Sequence, residues 1–160
     1  MKVSEIGDWL RGLANHTQPR REAEKAMQEE AVRSSAYEKE YLKMRHLFRC
    51  VDQQVRKERL YLLPKLSLNQ LAMRVGTNRT YLSRAFALSG EHFRDYLFRL
   101  RMEALDGILD DPLQRQKLDK DQVDYYAAAG FTNERTLSRR LLQERGVNYH
   151  QLIRERKDNS

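Results

Sequence analysis

The stretches GTNRTYLSRAFALSG (residues 76–90) and FTNERTLSRRLLQERG (residues 131–146) decide the fold. Aligned on Leu82-Ser83-Arg84 and Leu137-Ser138-Arg139, they place Thr77-Asn78 opposite Thr132-Asn133 and Phe86 opposite Leu141. Each opens with residue types that cap helices, carries large apolar residues one turn apart on a single face, and closes on a glycine, which ends helices by turning left-handed. The chain therefore contains one short helical device twice, about 55 residues apart.

Each copy has a partner helix in front of it. In LSLNQLAMRVG (residues 66–76), Ser67 caps a helix over 68–75 that Gly76 stops, and Thr77 or Asn78 caps the next one, to about residue 88. Residues 93–109 form a longer helix of about 25 Å, closed by Asp110-Asp111-Pro112, and a polar loop rich in Gln and Lys follows. Asp119 or Asp121 then begins a short helix ending at Gly130, Thr132 or Asn133 caps another to about residue 145, and residues 149–157 form the last.

Further out lies the N-terminal segment, residues 1–45. Pro19 separates a short amphipathic piece, with Ile6, Trp9, Leu10 and Leu13 at helical spacing, from a long charged helix over 20–59 that Pro64 ends. Tyr37, Tyr41, Met44, Phe48, Val51 and Val55 follow a heptad seam. Phe48 to Val55 suit packing on the helix's own domain, whereas Tyr37, Tyr41 and Met44 suit a coiled-coil homodimer or a signal relay. The expected class is all-α.

Composition narrows the function. Among 160 residues the formal charge is +7, so the summed field attracts polyanions, nucleic acid first and an acidic membrane surface second. No run approaches the roughly 20 apolar residues that span a bilayer, and no signal-peptide core is visible, so the expected location is the cytoplasm with no membrane partner within this chain. Cys50 is the only cysteine, which excludes a disulfide scaffold. His16, His46, His92 and His150 are scattered without metal-ligand spacing, no glycine-rich phosphate loop occurs, and catalysis has no visible seat. No enzyme, metal or cofactor is expected.

A helix-turn-helix needs a small residue where its helices cross, a glycine at the turn and apolar residues beneath. Leu71, Ala72, Val75, Gly76, Leu82 and Phe86 meet those demands in order. The opposite face then presents Arg79, Thr80, Ser83 and Arg84 in the first copy, and Glu134, Arg135, Ser138 and Arg139 in the second. Arginine can bind guanine O6 and N7 together, and Glu134 can accept from cytosine N4. Asn78, Tyr81, Thr132 and Asn133, at the capped helix starts, suit phosphate.

These motifs carry a resemblance. The run LxLxxLAxxVG at 66–76, NRTYLSRAF at 78–86, GxxFxxYLxxLRxEA at 90–104, AAAGFTN at 127–133 and LSR followed by GxxY at 137–149 together resemble the DNA-binding domain of AraC/XylS-family transcription regulators, over residues 47–157. The resemblance implies two helix-turn-helix subdomains, about 66–90 and 119–146, joined by the linker helix 93–109, within a DNA-binding domain at 46–160. Each subdomain would insert a recognition helix into successive major-groove segments of double-stranded DNA. The family's base-facing sites fall on Thr80, Ser83, Arg84, Glu134, Arg135 and Arg139, and RNA polymerase is the implied protein partner. Tyr126 stands where the family has its small crossing residue, Leu137 and Leu141 replace aromatics, and Leu141-Leu142-Gln143 replaces Phe-Lys-Lys. Those departures motivate the rival expectation, a protein-interaction module whose helix-turn-helix units no longer read DNA.

Overall fold

The computed structural model describes the backbone of residues 3–158 and the side chains of residues 20–158, with eight α-helices and no strand among them. Residues Met1–Lys43 and Met44–Ser160 form separate units.

Helix α1 (Val3–Lys57) runs through Pro19, against the break expected there. Proline removes one backbone donor, and the Arg, Glu, Ala, Lys, Met and Gln residues that follow are strong helix formers that carry the helix past the gap. The stripe Ile6, Trp9, Leu10 and Leu13 lies outside the described side chains. At its other end α1 stops at Lys57, well before Pro64: Arg59 takes a left-handed conformation (φ 52°), and a 3-10 turn at Leu60–Leu62 follows. Residues 20–39 are exposed along their whole length, Tyr37 among them at 70%. Met44 is only 4% exposed, so of the three proposed dimer residues it is already covered within one chain; Tyr41 is 37% exposed.

From Met44 onward the heptad positions turn inward. Val51 and Val55 join Leu71 and Ala72 of α2 (Leu68–Arg74), Leu82 and Phe86 of α3 (Arg79–Ser89), and Tyr96, Leu97 and Leu100 of α4 (Phe93–Asp110) in a first core. Each fully buried Leu or Val there contributes about 1.5–3 kcal/mol. Phe86 sits edge-on to Phe48, Phe93 and Tyr96 at centroid distances of 5.3, 5.5 and 5.1 Å. The hydroxyl of Tyr96 donates to Asp52 at 2.8 Å, tying α4 to α1.

The same α4 then builds a second core. Met102, Leu105, Ile108 and Leu109, further along the helix, pack with Tyr125 of α6 (Tyr125–Ala128), Leu137 and Leu141 of α7 (Glu134–Arg145), and Tyr149 and Leu152 of α8 (Tyr149–Asp158). One helix thus supplies a wall to both cores, which fixes two clusters on one spine.

Residues 112–120, expected as a loop, form helix α5 (Pro112–Lys120). Asp111 is its N-cap, accepting from the amides of Leu113 and Gln114 at 3.0 and 3.3 Å, and Pro112 occupies the first helical position, where its missing N–H is harmless. Asp119, expected to open the next helix, lies inside α5; Asp124 precedes α6, which has one turn only.

Candidate nucleic-acid interface

Capping places the two arginine-bearing helices. Ser67 opens α2 through a reciprocal capping box with Gln70. Gly76 takes φ 71° after α2, a conformation that costs other residues about 1–2 kcal/mol, and Asn78 Oδ1 accepts from the Tyr81 amide at 2.9 Å to open α3. Asn133 Oδ1 accepts from the Thr136 amide at 3.0 Å to open α7. The oxygens of both asparagines are engaged in these caps, so only their amide nitrogens remain to meet a phosphate. Tyr81 and Thr132, the other two expected phosphate contacts, are exposed.

The outward residues of α3 stand as expected, with Arg79, Thr80, Ser83 and Arg84 all exposed. Helix α7 divides its set. Arg135 and Arg139 are exposed, but Glu134 pairs with His150 at 3.0 Å, and Ser138 Oγ accepts from the Tyr149 amide at 3.2 Å. Because α8 packs on α7, half-buried Ser138 serves the α7–α8 contact.

Several arginines that link helices are held by acidic partners. Arg99 pairs with Glu91 and Glu103, Arg56 with Asp52 and Glu103, and Arg145 and Arg156 with Asp106. By contrast the guanidinium groups of Arg79, Arg94, Arg135 and Arg139 have no ion-pair or hydrogen-bond partner among the described residues. Unpaired arginines keep all five donors for a ligand.

A joint holds the second helical set against the first. Arg101 donates to the carbonyls of Tyr61 and Leu63, both at 2.8 Å, and burial lowers its pKa from the usual arginine value. Gly130 (φ 90°) approaches so closely that a Cβ there would stand 2.6 Å from the Tyr61 carbonyl oxygen. Arg140 of α7 binds Asp95 of α4 at 2.8 Å while its guanidinium lies 3.7 Å from the centroid of Phe98, whose ring meets Phe131 edge-on at 5.7 Å. Sequence reasoning missed all of these; Gly130 was read only as a helix stop.

Between the starts of α3, α4 and α7 opens a groove of about 910 Å3. Its lining includes Arg79 and Ser83 of α3, Arg94 and Asp95 of α4, and Thr136 and Arg140 of α7. Four arginines line it against one acidic residue, Asp95, whose charge Arg140 already offsets. The expected reading residues Arg79 and Ser83 thus come together with Thr132 and Asn133 on its wall, while Thr80, Arg84, Arg135 and Arg139 lie outside it.

Tyr126 of α6 meets α8 through Tyr149. Its ring meets Tyr149 edge-on at 5.7 Å and its amide donates to the Tyr149 hydroxyl at 3.1 Å. Helix α2 packs directly on α3, whereas α6 packs on α4 and α7 on α8. Burial pushes the Tyr149 phenol up to about 12. Among the described residues no His, Cys, Asp and Glu group could hold a metal ion, and no helix is long and apolar enough to cross a membrane. No protein-family model, no curated protein and no solved structure matches the chain.

Proposed function

We propose that this chain is a sequence-specific double-stranded DNA-binding transcription regulator, or the output domain of one, of the AraC/XylS kind. Two helix-turn-helix units, α2–α3 and α6–α7, would lay α3 and α7 in neighbouring major-groove segments. The observation that carries the reading is that Arg79 of α3 and Arg135 and Arg139 of α7 stand exposed on capped helices, unpartnered among the described residues. An exposed cation without a protein partner on a capped helix is what a phosphate or a guanine edge requires.

In this reading Thr80, Ser83 and Arg84 face bases in the first unit and Arg135 and Arg139 in the second. Tyr81 and Thr132 meet phosphates. Exposed Tyr37 and Tyr41 serve a homodimer or relay contact, and RNA polymerase is the protein partner. The chain has no catalytic role and acts in the cytoplasm.

Selection of oligonucleotides by the full chain, followed by sizing of the complex on the preferred site, tests the proposal and reports stoichiometry. An enriched motif is expected, and Arg84→Ala should cost about 1–3 kcal/mol on that motif and relax preference at one base step. Unchanged discrimination removes Arg84 from the base readers. Selection without any motif, with tight binding to a protein instead, supports the interaction-module reading.

A further inference from the structure

On one face of a duplex, two successive major-groove segments about 34 Å apart bracket one minor groove. Whatever the protein places between α3 and α7 must therefore face the two sugar-phosphate strands that border that minor groove. What lies there is the arginine-lined groove at the start of α4. The chain carries 23 acidic residues, yet a single one, Asp95, lines this groove, and Arg140 binds it at 2.8 Å. Two of the four arginines, Arg101 and Arg140, are fixed by backbone carbonyls, Asp95 and Glu144. The other two, Arg79 and Arg94, are exposed and hold no partner among the described residues.

Resting on the regulator reading above, we propose that this groove is a third DNA contact, in which Arg94 of the linker helix holds the phosphodiester backbone bordering the minor groove between the two recognition sites. The linker helix is then part of the binding surface as well as a spacer. Arg94 contributes affinity and register without reading sequence, because a phosphate is the same on every nucleotide.

Arg94 is exposed and unpaired, so Arg94→Ala leaves the fold intact and isolates the contact. Affinity is measured against salt for the selected duplex and for a random-sequence duplex. Losing one phosphate contact lowers the slope of log K against log salt by about 0.9 and weakens binding about 5-fold at 0.15 M salt, equally for both duplexes. Arg94→Lys, which keeps the charge, restores most of the slope. A neutral methylphosphonate placed in the segment between the two sites should weaken the wild-type chain and leave Arg94→Ala indifferent. An unchanged salt slope, or a methylphosphonate penalty as large in the variant as in the wild type, overturns the proposal. So does a loss confined to the selected sequence, which would make Arg94 a base reader. These results leave the regulator reading standing; absence of any duplex binding by the wild-type chain sinks both.

Discussion

The two Leu-Ser-Arg helices start from one register and end in different company. In the first, Ala72 at the crossing is 1% exposed and lets α2 lie directly on α3, and Thr80, Ser83 and Arg84 are left facing out. In the second, α6 has one turn only and is seated on α4, and α8 is the neighbour of α7. Glu134 contacts His150, and Ser138 contacts Tyr149. Helix α8 supports the outward face of α7, and two of the four expected outward side chains contact it. In the proposed function the first helix carries the finer discrimination, and the second grips through Arg135 and Arg139.

The joint that fixes the second set offers the largest expected effect. Gly130→Ala brings a Cβ against the Tyr61 carbonyl and Leu62 at 2.6 and 2.8 Å, in a backbone conformation (φ 90°) that side chains rarely adopt. Overpacking and left-handed strain together should remove about 3 kcal/mol or more of stability. Gly76→Ala, at φ 71° with nothing within 4 Å of the added Cβ, should lose only about 1–2 kcal/mol. Urea unfolding of the two variants checks this. Equal losses would mean that the close approach at Gly130 does not matter to the fold.

Alkaline titration separates the two cores by a smaller margin. Burial raises the Tyr149 phenol to about 12, and Tyr125, buried and bonded to Asp119, to about 12 as well. Tyr96 in the first core is raised further, by burial first and then by its bond to Asp52. A phenol whose folded pKa exceeds its unfolded value of about 10 holds its proton more tightly when folded. Its contribution is therefore fully present below about pH 10 and is lost as pH rises towards 12. For Tyr149 alone that is about 1 kcal/mol at pH 11. Each such phenol loses a similar contribution near pH 11, and the second core holds two of them against one in the first, so amide exchange in α6–α8 should accelerate between pH 10 and 11 relative to α2–α3 beyond the intrinsic base-catalysed rise, and Tyr149→Phe should flatten that difference. Equal acceleration in both sets would show that Tyr149 does not govern the second core.

Much of this was legible because caps and turns are local. Ser67, Asn78, Asn133, Gly76, Gly90, Gly130 and Gly146 each sit where the sequence suggests a boundary. The outward arginines were legible too, since a face opposite Leu82 and Phe86 must point away from the core. Helix α5 was not, because its residues are nearly all polar: only Arg115 is buried and Leu113 is 77% exposed, so no apolar stripe announces it. The signal that would have found it is Asp111-Pro112, which was read as the end of α4 when it is equally the start of α5. Pro19 misled for a related reason, a breaker rule applied where strong helix formers follow. The cationic groove and the joint at Gly130 are assembled from segments far apart in sequence, and no spacing along the chain encodes which of them meet.

The smallest effects test the comparison most directly, at the two serines of the shared register. Ser138→Ala removes the acceptor for the Tyr149 amide, a half-buried hydrogen bond of 3.2 Å, and should cost about 1 kcal/mol of stability while base preference on the selected site stays as it was. Ser83→Ala touches no hydrogen bond within the protein among the described residues, so its unfolding midpoint should not move, yet the preference at one position of the first half-site should relax. One aligned pair of residues thus yields opposite readouts, stability in one helix and recognition in the other. If both substitutions shift recognition and neither shifts stability, α8 does not hold Ser138 away from the duplex, and the two helices read DNA in the same way despite Tyr126.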